Sequence, residues 1–400
     1  MNVTTLQRID RWLGVPLCFA LTLVRKIFDR SQPDNSQPPR NILFVKLAEQ
    51  GSTVLAYSAL RRAVEMVGKD NVYFVAFEDN RFILDVLNVI PEANVVPIAF
   101  ADFPTLVRSL WLALWRLREL NLDAAVDMEF FARGSAALAY LSGARRRAGF
   151  HAFFGAGPYR GDLMTNRLLY SPHLHTTDTF LSLVEALQRD PAEFPTLGWR
   201  PPEHEVELPR FCPQADELAR IKSLVQKETG GNPKLILLNP NASDLLPLRR
   251  WPADRYVELA KRLLSSYSDV CVAFTGAPTE TAATNELVQQ VNSPRCVSLA
   301  GKTTLRELLV LYTLAEVLVT NDSGPAHFAA LTPIRVVTLF GPETPLLFAA
   351  RTPRNTTLWA GIACSPCVNA YNNRQSPCRN NICMQAITVE QVLTEVARAL

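Results

Sequence analysis

Residues 41–77 read NILFVKLAEQGSTVLAYSALRRAVEMVGKDNVYFVAF and contain one full cycle of the pattern that decides the fold. The apolar runs NILFVKL and NVYFVAF at its two ends are typical of buried strands. Between them, TVLAYSALRRAVEMVG carries apolar residues at helical spacing. A strand, a helix and a second strand in this order predict a parallel pair of strands with the helix packed on the sheet.

The same alternation continues along the chain. Apolar runs such as LDAAVDM, KLILLNP, DVCVAFTGA, EVLVTN and RVVTLFG are separated by segments of helical spacing. Two polar, proline-rich stretches at 29–40 and 198–213 interrupt this rhythm and indicate linkers. We therefore predict an α/β protein with two Rossmann-like domains facing a cleft, at 40–205 and 206–400, preceded by an N-terminal helix and linker at 1–39.

Composition agrees with two domains and argues against one class of partner. The chain has 400 residues, of which 48% are hydrophobic, so it can form two cores of ordinary size. Its 41 basic and 38 acidic residues give a net charge of only +3. Such a balance disfavours nucleic acid as the main partner, because phosphate backbones are bound by a strong positive field.

The N-terminal segment contains a short apolar run, residues 13–24, that is flanked by Arg8, Arg11, Arg25 and Lys26. The run is shorter than the roughly 20 residues that cross a bilayer, and no small-residue cleavage site follows it. A basic-flanked helix containing Trp12 could lie in the headgroup layer of an anionic membrane. It could equally pack on the protein itself, and the sequence leaves both interpretations open.

The sequence TNDSGPAHFAAL, residues 320–331, follows a predicted strand and opens a predicted helix. Asp and Ser suit the position before a helix, and Pro suits its first turn. The amides and dipole at a helix start attract anions, most often phosphate. We therefore expect a donor-binding loop made by Asp322, Ser323, Gly324, Pro325 and His327.

A second loop of the same half adds positive charge. The segment NPNASDLLPLRRWP, residues 239–252, follows an earlier strand and carries Asn241, Ser243, Arg249 and Arg250. Guanidinium groups match phosphate oxygens in pairs, and the carboxyl ends of parallel strands share one edge of the sheet. Together the two loops predict a diphosphate site.

These segments, with FTGAPTE, LAGKTTLRELLVLYTLAEVLV and VVTLFGPETP, resemble glycosyltransferase family 9, the lipopolysaccharide heptosyltransferases. The resemblance implies a GT-B architecture whose first domain holds the acceptor and whose second holds the nucleotide-sugar. It also implies ADP-heptose donors, transfer with inversion and no metal or other cofactor required for catalysis. It places Asp322, Ser323, Gly324 and His327 at the donor and makes Arg249 the group that neutralises the diphosphate.

The first loop departs from the family pattern, in which Gly-Asp supplies the catalytic base. Here Gly51 is followed by Ser52, which cannot accept a proton at neutral pH. Glu49, in the same loop, is the proposed substitute, and Asp127 and Glu129 are second candidates. We expect Ser52, Asp127 and Glu129 to contact the acceptor. A solvated carboxylate at Glu49, and a chain that binds without catalysing, are the alternatives.

Four cysteines cluster near the C-terminus: Cys364, Cys367, Cys378 and Cys383. Four thiolates at this spacing could hold a structural zinc ion. Unligated thiols or redox-variable pairs remain alternatives, and none of the three implies a role in catalysis.

The leading hypothesis is thus an inverting glycosyltransferase that moves a sugar from an ADP-heptose-like donor to a lipopolysaccharide-core or other glycan acceptor. We expect a cytoplasmic protein, peripheral on the inner face of the cytoplasmic membrane. The competing hypothesis is a catalytically degenerate nucleotide-sugar binding protein. An NAD-dependent oxidoreductase is disfavoured because no Gly-x-Gly-x-x-Gly follows any predicted strand.

Overall fold

The computed structural model describes residues 3–29, 38–153, 157–190, 207–243 and 246–400. The chain divides into two compact units. Unit 1 comprises Met1–Glu205 and Asn369–Arg374, and unit 2 comprises Val206–Val368 and Gln375–Leu400. The predicted boundary at residues 205 and 206, and most of the predicted linker at 29–40, lie outside the described residues.

Unit 1 is a parallel sheet with helices on it. Its strands are β1 (Ile42–Val45), β2 (Val72–Phe77), β3 (Val95–Ile98), β4 (Ala124–Asp127), β5 (Arg146–Phe150) and β6 (Asn166–Leu168). Its helices are α1 (Val3–Trp12), α2 (Gly14–Phe28), α3 (Gln50–Leu55), α4 (Tyr57–Val67), α5 (Arg81–Leu87), α6 (Phe103–Glu119), α7 (Arg133–Leu141) and α8 (Thr176–Glu185). The described strands are ordered β3-β2-β1-β4-β5-β6.

Unit 2 repeats this architecture. Its strands are β7 (Lys234–Asn239), β8 (Val270–Phe274), β9 (Cys296–Ser298), β10 (Val317–Asn321), β11 (Arg335–Phe340) and β12 (Asn355–Trp359). Its helices are α9 (Ala215–Thr229), α10 (Ala253–Ser266), α11 (Thr281–Val291), α12 (Leu305–Tyr312), α13 (Gly324–Ala329), α14 (Pro345–Phe348), α15 (Ile382–Gln385) and α16 (Val389–Ala399). The described strands are ordered β12-β11-β10-β7-β8-β9.

Both sheets are parallel throughout the described strands, which confirms the α/β prediction. The central strands are continuous apolar runs because both faces are covered, as β1 and β8 show with every residue buried. In each sheet the first strand of the unit lies between two later ones, so the strand order reverses beside it. Ligands of such sheets bind beyond the carboxyl ends of the strands at that reversal.

The segment Asn369–Arg374 corrects the predicted domain limits, which assigned all of 206–400 to the second domain. It belongs to unit 1. The Tyr371 hydroxyl donates a hydrogen bond to the Tyr170 carbonyl, and the Tyr371 ring lies 5.7 Å from that of Phe131. Aromatic contacts of this kind are not visible in the local sequence pattern.

The predicted N-terminal helical segment is confirmed as α1 and α2, and it is attached to unit 1 by small and polar side chains. The Asp10 carboxylate accepts hydrogen bonds from the Arg133 and Gly134 amides at the start of α7, at 2.9 and 2.7 Å. On α2, Thr22 Oγ1 accepts a hydrogen bond from the Asp162 amide at 2.9 Å. In the described part of the chain, no helix has the length and apolar content needed to span a membrane.

Gly161 allows the backbone of unit 1 to lie close to α2. This contact generates a prediction. Its φ is +73°, and a Cβ there would lie 2.7 Å from Thr22 Oγ1 and 2.8 Å from the Cys18 carbonyl oxygen. We expect Gly161→Ala to lower the free energy of unfolding by about 2–4 kcal/mol in urea titrations, because left-handed strain and overpacking add. Trypsin should also cleave faster after Lys26.

Gly143→Ala is the matched control, because its φ is +89° but nothing lies within 4 Å of the added Cβ. This variant should lower the free energy of unfolding only by the backbone strain, about 1–2 kcal/mol, and leave cleavage at Lys26 unchanged. An equal decrease in the free energy of unfolding of the two variants would contradict the proposed packing of α2.

Candidate functional site

The loops that follow β7, β10 and β11 form the candidate donor site of unit 2. β10 lies between β11 and β7 in the sheet, so these three strands end at neighbouring positions on one edge. The boundary between β10 and β7 is also where the strand order reverses. Loops diverge at such a point and leave room for a ligand.

Asn321, the last residue of β10, organises this edge. Its Oδ1 accepts a hydrogen bond from the Trp251 amide at 3.0 Å and lies 3.2 Å from the Tyr256 hydroxyl. Its Nδ2 donates to the carbonyls of Pro240 and Asn241 at 2.9 and 3.1 Å. The side chain is fully buried, so it replaces the water that would otherwise satisfy the loop after β7.

Two buried aromatic residues support this network. Trp251 packs edge-on against Tyr256, with ring centroids 5.0 Å apart, and its indole N–H donates to the Ile387 carbonyl at 2.9 Å. Burial raises the pKa of Tyr256 well above its ordinary value, so the phenol keeps its proton and can act as a donor. Trp251, two residues after Arg249, therefore anchors the loop that carries it.

Arg249 is held beside two carboxyl groups. Its Nη1 donates to the Asp322 carbonyl at 3.1 Å, its Nε lies 3.6 Å from Asp322 Oδ2, and its Nη2 lies 2.5 Å from Glu343 Oε2. The structure thus brings the predicted pair Arg249 and Asp322 together. It adds Glu343, a buried residue in the loop after β11 that sequence analysis did not choose as a site residue. Its position after a strand end was the available signal.

The other residues predicted at the donor site have the following positions. Ser323 precedes α13 with extended backbone, and its hydroxyl donates to the Asn321 carbonyl at 3.2 Å, so no side chain caps this helix. Gly324 and Pro325 form its first turn, and His327 is buried on it. In the loop after β7, Arg250 Nη2 donates to the Ala242 carbonyl at 2.9 Å.

Asn241 and Ser243 lie in that same loop. The Asn241 amide is fixed by Asn239 Oδ1 at 3.1 Å, whereas Ser243 is exposed. Their roles at a donor remain predictions.

The candidate acceptor-side site of unit 1 follows β1, which lies between β2 and β4 in the sheet. Glu49 stands just before α3 with φ 69° and ψ 78°, in the left-handed region that non-glycine residues rarely adopt. Residues held this way cluster at functional sites. Ser52 Oγ donates to the Glu49 carbonyl at 2.9 Å and lies 3.4 Å from Glu49 Oε2, so these two predicted residues meet.

Two cations compensate the charge of Glu49. Its carboxylate forms an ion pair with Arg374 and lies 3.8 Å from Lys46 Nζ. Arg374 and its neighbour Asn373 both have positive φ, 55° and 53°, so this contact brings together strained backbone from two segments of unit 1. Neither Lys46 nor Arg374 was predicted from the sequence, and Arg374 gave no signal because it is distant along the chain.

Glu129 shapes the same loop. Its Oε1 accepts hydrogen bonds from the Leu47 and Ala48 amides at 2.8 and 3.1 Å and lies 3.2 Å from Lys46 Nζ. These contacts occupy the carboxylate with the protein itself. Glu129 therefore positions the backbone that carries Glu49, and contact with an acceptor stays a prediction.

Asp127 requires a correction. It is 0% exposed and forms an ion pair with Arg160, while its Oδ2 accepts a hydrogen bond from the Ser135 hydroxyl at 3.1 Å. Burial raises the pKa of Asp127 to about 6, against the opposing effect of Arg160. A carboxylate without exposed surface cannot contact an acceptor or serve as its base in this structure, so Asp127 holds Arg160 instead.

The cysteine cluster does not match the expected zinc site. Among the described residues, no group of three or more His, Cys, Asp or Glu side chains is arranged to hold a metal ion. Cys364 and Cys378 are exposed and Cys383 is buried. Burial raises the pKa of Cys383, and the nearby thiols of Cys367 and Cys364 add to this effect. As placed, the four thiols do not fit a tetrahedral zinc ion.

The Asn321 network generates a prediction. Replacing Asn321 with Leu leaves three backbone groups, the Trp251 amide and the Pro240 and Asn241 carbonyls, without this partner, so we expect the free energy of unfolding to fall by about 2–5 kcal/mol. Urea titration measures this loss. Asn285→Leu, on the exposed face of α11, should change the free energy of unfolding by less than about 0.5 kcal/mol. A similar change in both variants would show that the network does not organise the loop.

Comparisons with known proteins bear on this geometry. Residues 111–376 match the model of glycosyltransferase family 9 (heptosyltransferase). Lipopolysaccharide heptosyltransferase 2 of Salmonella typhimurium is 39% identical over 102 residues, which are 25% of this chain and 29% of that protein. Lipooligosaccharide heptosyltransferase 2 of Campylobacter jejuni is 28% identical over 168 residues, 41% of this chain and 51% of that protein. The chain thus spans about half or less of these two relatives.

Among solved structures, the ADP-heptose lipopolysaccharide heptosyltransferase II of Escherichia coli superimposes with a TM-score of 0.64 at 20% identity. The superposition covers 90% of this chain and 98% of that one, which confirms the predicted fold. The family match includes the loops of Arg249, Asp322 and Glu343. Since it extends over more than half of the sequence, the chain belongs to glycosyltransferase family 9.

Proposed function

We propose that this protein is an inverting glycosyltransferase that moves a heptose from ADP-heptose to a lipopolysaccharide-core or related glycolipid acceptor. The observation that carries the proposal is the contact of Arg249 with Asp322 and Glu343 at the strand-order reversal of unit 2. That edge lies within the part of the chain that matches the family. The relatives named above are heptosyltransferases, and the solved structure is that of an ADP-heptose heptosyltransferase.

The leaving group in this reaction is a nucleoside diphosphate, and Arg249 is the residue proposed to stabilise it. Charge develops on the diphosphate as the bond to the sugar breaks, and a guanidinium fixed beforehand stabilises that charge without reorganisation. In this structure, Asp322 and Glu343 fix the guanidinium. A diphosphate must therefore replace at least part of these contacts, and the amides before α13 would supply further donors.

Glu49 is proposed as the base on the acceptor side. The acceptor hydroxyl attacks the anomeric carbon from the face opposite the diphosphate, Glu49 takes its proton, and the nucleoside diphosphate leaves with the bonding electron pair. The ion pair between Glu49 and Arg374 opposes this role, because a paired carboxylate is a weaker base. The acceptor must then displace Arg374 or approach the other carboxylate oxygen.

We further propose that transfer needs no metal and that the protein is cytoplasmic, peripheral on the inner face of the cytoplasmic membrane. A membrane location suits a lipid-linked acceptor. The second candidate function, a nucleotide-sugar binding protein without catalysis, is favoured by one observation. The residue after Gly51 is Ser52, and the substitute carboxylate is tied to Arg374.

The proposed donor binding generates a prediction. Replacing Arg249 with Lys keeps the positive charge but loses the paired contacts of the guanidinium, so we expect the affinity for ADP to fall by about tenfold. Thermal-shift titration of the purified protein with ADP and with adenosine measures this, since ligand binding stabilises the folded state by mass action.

Adenosine binding should be unchanged, because adenosine lacks the diphosphate. Arg262→Lys is the matched control, since Arg262 is exposed on α10 and pairs with Glu258 and Glu390. Unchanged ADP affinity in Arg249→Lys, or an equal loss for adenosine, would contradict the diphosphate role.

The proposed catalytic role of Glu49 generates a further prediction. Glu49→Gln preserves the size of the side chain but cannot take a proton, so turnover should fall by about 100-fold or more. Affinity for ADP should stay within about twofold, because the base does not bind the diphosphate. Turnover is measured as release of ADP from ADP-heptose in the presence of extracted acceptor lipid.

Glu65→Gln, an exposed carboxylate of α4, should leave turnover unchanged. If the wild-type protein binds ADP and ADP-heptose but releases no ADP with any acceptor, the binding-protein alternative is correct. If Glu49→Gln retains full turnover, another group is the base.

A further inference from the structure

Helix α2 buries its small side chains and exposes its large ones. Gly14, Cys18 and Thr22, four residues apart, face unit 1. The opposite side presents bulky apolar side chains to solvent, among them Phe19 and Ile27, each 57% exposed. Helices on the surface of soluble proteins normally have the reverse arrangement, with large apolar residues inward and polar residues outward.

Helix α6 has a second apolar face of the same kind. Leu106, Ala113 and Leu117 point into the core. On the outward side, Phe103, Val107, Trp111 and Trp115 follow one another at four-residue intervals, and both tryptophans are 63% exposed. A helix that is apolar on both sides needs a second apolar environment, because large exposed patches are rare on soluble monomers.

The two helices lie on the same side of the unit 1 sheet. Cys18 of α2 and Leu117 of α6 belong to one buried cluster, which also contains the inward-facing Leu43 and Val45 of β1. Both helices also contact α7. The Cys18 thiol donates to the Arg133 carbonyl at 3.6 Å, and Arg118 Nε of α6 donates to the Leu141 carbonyl at 3.0 Å. We call the outward side chains of α2 and α6 the apolar surface.

The charges beside the apolar surface are mostly positive. Among the described side chains of α1, α2, α6 and their capping residues, three acidic residues are exposed, Glu119 and the caps Asp29 and Asp102. Six basic residues are exposed: Arg8, Arg11, Lys26, Arg108, Arg116 and Arg118. Asp10, on the same helices, is engaged at the start of α7. Tryptophan beside arginine and lysine is the composition of segments that lie in the headgroup region of anionic bilayers.

We propose that the apolar surface docks this protein on an anionic lipid bilayer, with α2 and α6 lying in the plane of the membrane as two separate contacts. The inference deepens the proposed peripheral location and rests on it, adding α6 and its two tryptophans as a binding element. A second copy of this chain is a poorer occupant. A two-fold contact between identical surfaces would bring two surfaces of net positive charge together.

The test is binding of the full chain to two kinds of vesicle, one of phosphatidylcholine alone and one with about 30% phosphatidylglycerol. The second lipid gives the vesicle surface the negative charge that basic segments bind. We expect at least about tenfold stronger binding to the anionic vesicles, weakened in high salt. Phosphatidylglycerol brominated on its acyl chains should quench tryptophan fluorescence, because Trp111 and Trp115 would lie beside the acyl chains.

Two variants test the two helices separately. Trp111→Ser with Trp115→Ser, and Phe19→Ser with Leu23→Ser, should each reduce vesicle binding by about tenfold or more. Serine at exposed positions does not disturb the core, so thermal stability should be retained. Leu346→Ser, a 71% exposed residue of unit 2, is the matched control and should bind vesicles like the wild type.

Three results would overturn the inference: equal binding to both kinds of vesicle, full binding by both double variants, or a wild-type dimer that the double variants convert to monomers in light scattering. ADP binding measured without vesicles separates this test from the proposed function. A chain that binds ADP but not vesicles contradicts only the docking surface, whereas one that binds vesicles but not ADP contradicts only the transferase.

Discussion

The buried amide of Asn321 fixes the geometry on which the candidate donor site depends. A loop that leaves a parallel strand has backbone groups without a strand partner, and these groups must be satisfied if they are buried. Asn321 satisfies both backbone donors and backbone acceptors of this loop, since it accepts from the Trp251 amide and donates to the Pro240 and Asn241 carbonyls. Trp251 lies two residues beyond Arg249. The position of the guanidinium beside Asp322 therefore depends on this side chain together with Asn381, whose Nδ2 donates to the Leu248 and Arg250 carbonyls at 3.0 and 2.8 Å.

In unit 1 a carboxylate satisfies the backbone amides of the corresponding loop. Glu129, just beyond β4, accepts hydrogen bonds from the Leu47 and Ala48 amides beyond β1, and the chain then turns through Glu49 in a left-handed conformation. In both units a side chain from the later strand ties down the loop of the first strand, at the place where the strand order reverses. The loops diverge at this reversal, so side chains rather than strand hydrogen bonds must hold the residues that line it.

This explains what the sequence could and could not predict. Alternating strands and helices, and the loops at strand ends, follow from local periodicity, so Glu49, Arg249 and Asp322 could be selected. Whether a polar residue in such a loop faces a ligand or the protein depends on partners distant in sequence. Asp127 was therefore misassigned, because its partner Arg160 gives no local signal. Glu343 and Arg374 were missed for the same reason: their contacts with Arg249 and Glu49 join segments about 94 and 325 residues apart.

Both candidate catalytic charges are ion-paired in this structure, Arg249 with Asp322 and Glu343 and Glu49 with Arg374. A mostly buried guanidinium without a counter-charge would be unstable, so these partners let the chain fold with Arg249 already in place. Under the proposed function, substrate binding then exchanges one partner for another rather than gaining a new ion pair from water. Such an exchange weakens ground-state binding, but it leaves the group oriented where charge develops in the transition state. Under the proposed function, the difference between ground-state and transition-state stabilisation arises from how well the diphosphate, as its charge grows, competes with the carboxylates for the same fork of N–H donors.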